Sequence, residues 1–236
     1  MIKIAHLYYD LMNLYGDNGN IKALKIMLEE QGLKVDISLL TIGDKIDFNK
    51  YDLFYIGPGT FDNEKLVLND LMQYKDDIKK AIEDNKFFIA VGNSLDLFGK
   101  KINDEDGLNI FNFDTTKITK RLVGEVYLKA KIVSEMLVGF KNQDSIINFE
   151  DNTIFDVIKG YGLNENSDKE GILINNFFGT YIIGPIFVRN PELLVWYTKK
   201  IMHSKDKEFD PQKVDLGFEE EAHDEFIKNY FNDEVA

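Results

Sequence analysis

A strand followed by a sharp turn and a short helix is the segment with the clearest chemical potential. FFIAVGNSLDLFG places apolar residues before Gly92 and small or polar ones after it. This is the pattern of a nucleophile elbow, in which a strained turn exposes an attacking side chain, but Gly92 has none. In a second turn, IGPGTFDNE, the N–H of Gly59 is available to hold an oxyanion, whereas Pro58 has no N–H. The two turns predict either a pocket or simple tight packing.

The residue types present narrow the possible chemistry. The chain has no cysteine, which excludes disulfides, thiolate zinc sites and a cysteine nucleophile. We interpret His6 as a satisfied core or strand-end histidine. His203 and His223 have no second histidine or carboxylate at metal-ligand spacing. We therefore expect no metal and no cofactor.

The charge and hydropathy of the 236 residues restrict the partners. Lys and Arg number 28 against 41 Asp and Glu, a net charge of −13, which disfavours a nucleic acid partner. No apolar run approaches the roughly 18 residues of a membrane span, and the N-terminal residues lack a basic leader. We expect a cytoplasmic protein without membrane insertion.

The first hundred residues alternate between strand and helix patterns, which predicts an α/β fold with a mostly parallel sheet. The helical faces are predicted from Ile21, Leu24, Lys25 and Leu28, and from Leu66, Asn69, Leu71, Ile78 and Ile82. The predicted buried strands are IKIAHLYY (2–9), LKVDISLL (33–40), DLFYIGPG (52–59) and KFFIAVGN (86–93).

The rest of the chain favours appended antiparallel strands and two final helices. Residues 115–149 alternate loosely, and residues 171–190 predict a strand pair with a tight turn at Gly179. PELLVWYTKKIM and EEEAHDEFIKNYF predict the helices. Because no linker or composition break occurs, we expect a single domain over residues 1–236. Functional groups of such sheets collect at the carboxyl ends of the strands, here residues 10–20, 57–62 and 92–96.

A set of segments spread along the chain resembles a known family. They are DLMNLYGDNGNIKALK (10–25), GPG (57–59), IAVGNSLDLFG (89–99), KRLVGE (120–125), VGFKNQ (138–143), GYGLNENSDKEG (160–171) and GTYIIGPIFVRNPEL (179–193). Together they resemble class I glutamine amidotransferases of the cobyric acid synthase (CobB/CobQ) type, and within that family the glutaminase subunits of lipid II isoglutaminyl synthases.

The resemblance implies a flavodoxin-like domain with helices on both faces of its sheet. Members of the family hydrolyse glutamine with a cysteine thiolate and a histidine, and backbone N–H groups form the oxyanion hole. The implied partner is a Mur-ligase-like, ATP-dependent amidating subunit that receives ammonia and acts on a cell-wall precursor.

The chain departs from the family at the residues that do the chemistry. The cysteine position of the family falls on Gly92 and the histidine position on Ile183. The glycines after the cysteine fall on Asn93 and Ser94, and the glutamine of the elbow falls on Asp96. The Gly-Phe-Glu-Asn-His segment of the family reads here as Gly139, Phe140, Lys141, Asn142 and Gln143. These coordinated changes predict a site that has lost glutaminase function.

Several residues near the turns have two interpretations each. Ser94 is either a substitute nucleophile or the N-cap of the following helix. Asp62 and Asp96 are either paired carboxylates or, as we favour, a helix-start charge and a solvated turn. Asp10–Asn20 is either an anion-binding helix start or a turn in which Asn20 is the N-cap.

Arg121 matches the family arginine that is placed to meet the carboxylate of glutamine, a role that suits a bidentate guanidinium. Its presence leaves open a pocket for glutamine or a related small carboxylate, with Gly59, Asn93, Ser94 and Arg121 as the binding residues. Three hypotheses follow: an inactive scaffold subunit, a working amidotransferase subunit (for a cell-wall precursor or a cobyrinate-type acceptor) with a relocated or substituted nucleophile, or a small amino-acid sensor.

Overall fold

A computed structural model describes residues 1–231, so residues 232–236 of the predicted domain lie outside the described part. Five parallel strands form the centre of the sheet, in the order β2-β1-β3-β4-β11. Four of them confirm the four predicted strands, and β1, β3 and β4 are buried as predicted because short β-branched and aromatic segments suit strands covered on both faces. The edge strand β2 is only partly buried, contrary to the prediction. The five strands are β1 (Ile2–Leu7), β2 (Val35–Leu40), β3 (Leu53–Ile56), β4 (Phe87–Val91) and β11 (Phe177–Thr180).

Helices α1 (Asn18–Glu30), α2 (Phe61–Leu71) and α3 (Lys75–Glu83) connect these strands. The buried face of α1 contains the predicted apolar residues together with Met27, whereas Lys25 is only partly buried and pairs with Glu29.

The second helical pattern is not one helix. A 3-10 turn at Met72–Tyr74 separates α2 from α3 and changes the phase of the buried face. Val67 and Leu68 are therefore buried, while Leu66 is 51% exposed and Asn69 is exposed, contrary to the predicted face.

Mostly antiparallel strands extend the sheet, as predicted, in the order β11-β10-β9-β7-β5-β6, with β8 paired to β7; the pairing of β5 with β7 is parallel. The tight turn between β10 and β11 lies at Asn175-Asn176, where Asn175 has a φ of 54°, and not at Gly179, which is inside β11. A Cβ at Gly179 would lie 2.6 Å from Leu95 Cδ1, so close packing explains this glycine. The added strands are β5 (Lys101–Ile102), β6 (Glu105–Asp106), β7 (Asp114–Ala130), β8 (Met136–Ile147), β9 (Thr153–Lys159) and β10 (Lys169–Ile174).

The chain continues through α4 (Ile186–Arg189), α5 (Pro191–Lys205) and α6 (Gly217–Tyr230), and the last two confirm the predicted final helices. Alternate residues of the central strands belong to two apolar clusters, one containing Val67 of α2 and Ile78 of α3, the other Leu24 of α1 and Tyr197 of α5. The sheet thus has helices on both faces, as predicted. Within residues 1–231, no helix has the length and apolar character needed to cross a bilayer.

Candidate functional site: a remodelled nucleophile elbow

The elbow turn keeps the backbone geometry of its pattern but has no room for a side chain. Strand β4 ends at Val91 and a 3-10 helix, Gly92–Phe98, follows at once. Gly92 has a φ of +66°, in the left-handed region that favours glycine. A Cβ there would lie 2.7 Å from Pro58 Cβ and 3.3 Å from Ile183 Cγ2. The space of a nucleophile is therefore occupied by Pro58 and Ile183.

A cavity of about 270 Å³ opens beside this turn, at the carboxyl ends of β3 and β4. Turns that follow the parallel strands meet residues of the antiparallel β7–β8 pair in it. Three of the four predicted binding residues, Gly59, Asn93 and Arg121, line it; Ser94 does not. The full lining is Leu14, Tyr15, Pro58, Gly59, Thr60, Phe61, Gly92, Asn93, Arg121, Asn142, Gln143, Asp144, Ser145, Tyr181 and Ile183.

The oxyanion donor expected at Gly59 is not available. Its N–H donates to Asn93 Oδ1 at 2.9 Å, and Asn93 Nδ2 donates to Glu64 Oε2 at 2.8 Å. The expectation of a free Gly59 N–H was wrong because the Asn93 side chain occupies the position in which an oxyanion would accept that bond. Pro58 beside it has no N–H.

Ser94 is part of the packing behind the cavity. It is completely buried, and its hydroxyl contacts the carbonyl oxygens of Ile56 at 3.0 Å and Val91 at 2.8 Å. The N-cap prediction for Ser94 was wrong, since the residue lies inside the 3-10 helix and Val91 is the capping residue. Ile183 occupies the histidine position of the family and lies against the elbow, and its side chain cannot act as a base.

A buried ionic cluster, which the sequence did not reveal, lies under the cavity. Lys117 Nζ is 2.6 Å from Glu64 Oε2, 3.0 Å from Asp96 Oδ2 and 3.6 Å from Asp144 Oδ1, and the Tyr181 hydroxyl donates to Asp96. The prediction of a solvated Asp96 was therefore wrong, because its side chain is completely buried.

Burial and the neighbouring Asp96 raise the pKa of Glu64 to about 8. Burial lowers the pKa of Lys117, but the attraction of Asp96 and Glu64 outweighs it and the net change is upward. Asp62, by contrast, is exposed in the first turn of α2, as expected of a helix-start charge.

Arg121 lines the cavity but already has protein partners. Its Nη1 contacts Asn142 Oδ1 at 3.2 Å and the Asn142 carbonyl at 3.3 Å, and its Nη2 contacts Asp144 Oδ2 at 3.2 Å. The side chain remains 48% exposed. A carboxylate ligand would have to share the guanidinium with Asp144.

The carboxylate of Asp17 is buried at the start of α1. Asp17 is completely buried and accepts hydrogen bonds from the Tyr55 hydroxyl and from Asn20 Nδ2, the latter at 3.0 Å. Burial raises the pKa of Asp17 to about 7. Asn20 lies inside α1, and its Oδ1 accepts a hydrogen bond from Phe187 N rather than from an N–H of the first helical turn, so the N-cap prediction for Asn20 was wrong.

Lys141, at the family's glutamate position, forms a completely buried ion pair with Glu170.

Among the histidines, His6 is buried in β1 and its Nε2 has no hydrogen-bond partner in the described structure, so it is a core residue but not a satisfied one. Burial lowers its pKa to about 4. His203 and His223 contact backbone carbonyl oxygens. Residues 1–231 contain no group of three carboxylate or histidine side chains arranged to hold a metal ion.

Comparison with known proteins identifies the family. The CobB/CobQ-like glutamine amidotransferase domain matches residues 3–191. The chain belongs to this family. It is 32% identical over 219 residues to the GatD subunit of lipid II isoglutaminyl synthase (glutamine-hydrolyzing) from Staphylococcus aureus, covering 91% of this chain and 90% of that one. The Streptococcus pneumoniae GatD subunit is 30% identical over 200 residues, covering 81% and 77%.

Solved structures share the fold of this CobB/CobQ-like domain. PurLQS from Thermotoga maritima superposes with a TM-score of 0.57 at 15% identity, covering 86% of this chain and 96% of that one. The glutaminase domain of Trypanosoma brucei CTPS with bound acivicin gives a TM-score of 0.54 at 13% identity, covering 92% and 98%. The resemblance stated from the sequence is thus confirmed at the level of family and fold.

Proposed function

We propose that this GatD-like chain does not hydrolyse glutamine and serves as a binding or scaffold subunit beside a Mur-ligase-like, ATP-dependent partner that amidates a cell-wall precursor in the cytoplasm. The observation that carries the proposal is the occupied elbow: Pro58 and Ile183 fill the space where a side chain on Gly92 would stand. A chain without cysteine cannot form a glutamyl thioester.

The remaining machinery of the reaction is also altered, which supports loss of function over a change of nucleophile. The Ser94 hydroxyl is buried against two backbone carbonyls, and a serine needs an adjacent base to attack. The Gly59 N–H is engaged by Asn93, so a tetrahedral intermediate would lose that donor. An active subunit would need both a nucleophile and a base from its partner.

The direct test measures ammonia release from glutamine by the purified chain. The expected rate equals the buffer blank and equals that of Ser94→Ala. Turnover that disappears in Ser94→Ala would refute the proposal and establish a serine glutaminase.

The partner is tested separately, by affinity purification of the tagged chain from its native cells and mass spectrometry of the bound proteins. We expect a Mur-ligase-like ATPase in stoichiometric amount. The purified complex should then amidate its acceptor with ammonium chloride and ATP but not with glutamine and ATP. Use of glutamine by the complex would show that the partner supplies the missing groups, and absence of a partner would refute the scaffold role.

The half-exposed Arg121 in the cavity lining favours one alternative function, a sensor for glutamine or a related small carboxylate. Thermal denaturation with millimolar glutamine, glutamate or acetate tests it, because a ligand that binds only the folded state raises the apparent stability. A shift that disappears in Arg121→Ala would favour the sensor, and no shift would remove it.

A further inference from the structure

A second cavity, of about 240 Å³, lies between α2 and the β5–β6 hairpin. It has apolar walls on one side and carboxylates on the other, and it shares Phe61 alone with the elbow cavity. The two cavities are therefore separate sites that adjoin at Phe61. Its lining is Phe61, Glu64, Lys65, Leu68, Ile102, Asn103, Asp104 and Glu105.

Glu64, which lines this cavity, has one carboxylate oxygen without a hydrogen-bond donor. The residue is 2% exposed, and its Oε2 is taken by Lys117 and Asn93. Its Oε1 has no hydrogen-bond partner in the described part of the chain. A buried carboxylate oxygen without a donor is costly, so a donor from a ligand would remove that cost.

The charges around Glu64 leave an excess of carboxylate. Five carboxyl groups and three cations lie at this cavity or in the ionic cluster beside it, and Lys117 alone is shared among three of the carboxyl groups. The other two cations are each paired with one carboxylate. The carboxylates are those of Glu64, Asp96, Asp104, Glu105 and Asp144, and the cations are Lys65, Lys117 and Arg121.

We propose that this cavity binds a primary alkylammonium group, with its methylenes against Phe61, Leu68 and Ile102 and its ammonium at Glu64. The apolar walls match an alkyl chain, and an aromatic ring beside the carboxylate favours a cation further. A bare metal ion would gain nothing from these walls. The group comes either from a free amine or from a lysine side chain of another protein.

Proton linkage gives the proposal a distinctive property. Burial and the neighbouring Asp96 raise the pKa of Glu64 to about 8, so this carboxyl takes up a proton at a higher pH than an ordinary glutamate does. A bound ammonium favours the ionised carboxylate, so binding releases a proton. Affinity should rise between pH 6 and about 8, while the alkylammonium itself, with a pKa of about 10.4, stays charged.

Titration calorimetry with n-butylammonium chloride tests the site, with n-butanol and sodium chloride as matched controls. We expect saturable binding of n-butylammonium and none of n-butanol. Glu64→Gln should weaken binding at least about tenfold, since a charge-assisted hydrogen bond is lost. Glu83→Gln, which removes an exposed carboxylate on α3, should not change it. Binding of n-butanol as strong as that of n-butylammonium, or an unchanged Glu64→Gln, overturns the proposal.

Two further arms complete the test on the wild-type chain. Titrations in phosphate and in Tris at pH 7 should show release of up to about one proton per amine bound; no release overturns the proposal even if Glu64→Gln fails to fold. N-acetyl-lysine methylamide tests the source. Binding tighter than that of n-butylammonium assigns the site to a protein lysine, and binding of n-butylammonium alone assigns it to a free amine. Failure of both ligands at millimolar concentration refutes the site, whatever the result of the ammonia assay.

Discussion

Substitution of Gly92 by alanine measures the free-energy cost of placing a side chain in the elbow. Two costs add in this variant. A non-glycine residue at a φ of +66° costs about 1–2 kcal/mol. The new Cβ would lie 2.7 Å from Pro58 Cβ, about 1 Å closer than carbon atoms normally approach. Overpacking of this kind costs a further 1–3 kcal/mol or so.

The expected loss of unfolding free energy is therefore about 2–5 kcal/mol, which for a chain of this length lowers Tm by roughly 5–15 °C. Urea unfolding and differential scanning calorimetry measure both quantities. Gly43→Ala is the matched control, because Gly43 has a φ of +86° and open space where its Cβ would stand. It should show the backbone cost alone, about 1–2 kcal/mol.

A double-mutant cycle isolates the contact with Pro58. In a Pro58→Gly background the opposing Cβ is absent, so Gly92→Ala should cost at least about 1 kcal/mol less than in the wild type. If Gly92→Ala costs no more than Gly43→Ala, or if the cycle shows no coupling, the conclusion that Pro58 occupies the nucleophile space is wrong.

Other predictions follow from the buried polar groups. The raised pKa of Asp17 means that the folded state binds its proton more tightly than the unfolded state, so the contribution of Asp17 to the unfolding free energy should fall as pH rises from about 4 to 7, by up to roughly 4 kcal/mol. His6 and Glu64 add their own pH dependence, so urea titrations at several pH values compare the wild type with Asp17→Asn, and the difference between the two should change by that amount. Lys141→Met should lower the unfolding free energy by about 3–5 kcal/mol, because Glu170 is then buried without its cationic partner. The double variant Lys141→Met/Glu170→Gln should recover part of that loss. Equal stability of the single and double variants would refute the importance of this ion pair. Ser94→Ala should lower unfolding free energy by about 1–2 kcal/mol without changing ammonia release.

The parallel strands and most helices were predictable because their patterns are local. A buried strand shows as a short apolar run between turn residues, and α1 shows as a helical repeat of apolar residues. The turn assigned to Gly179 was wrong. This glycine leaves room for the side chain of Leu95, a residue of the elbow helix that is distant in the sequence. A single sequence does not show which neighbour a glycine accommodates.

The ionic cluster was not predictable for the same reason. Glu64 lies on α2, Asp96 follows β4 and Lys117 lies on β7, so no spacing in the sequence joins them. Asp96 and Asp17 are aspartates, a residue type that is usually exposed. One signal in the sequence could have pointed to the ionic cluster: polar residues follow the ends of both β3 and β4. The carboxyl ends of neighbouring parallel strands meet at one edge of the sheet.

The altered residues of the elbow depend on one another, which argues against a site that lacks only its nucleophile. Gly92 tolerates the nearby Pro58 because it has no Cβ, and Ile183 packs into the space beside it. Asn93 satisfies the Gly59 N–H that a substrate oxyanion would otherwise use, and Glu64 fixes the orientation of Asn93. Replacing Gly92 by cysteine and Ile183 by histidine would leave both the Pro58 overlap and the engaged N–H in place. On the proposal of an inactive subunit, restoring the two family side chains alone would therefore not restore glutamine hydrolysis.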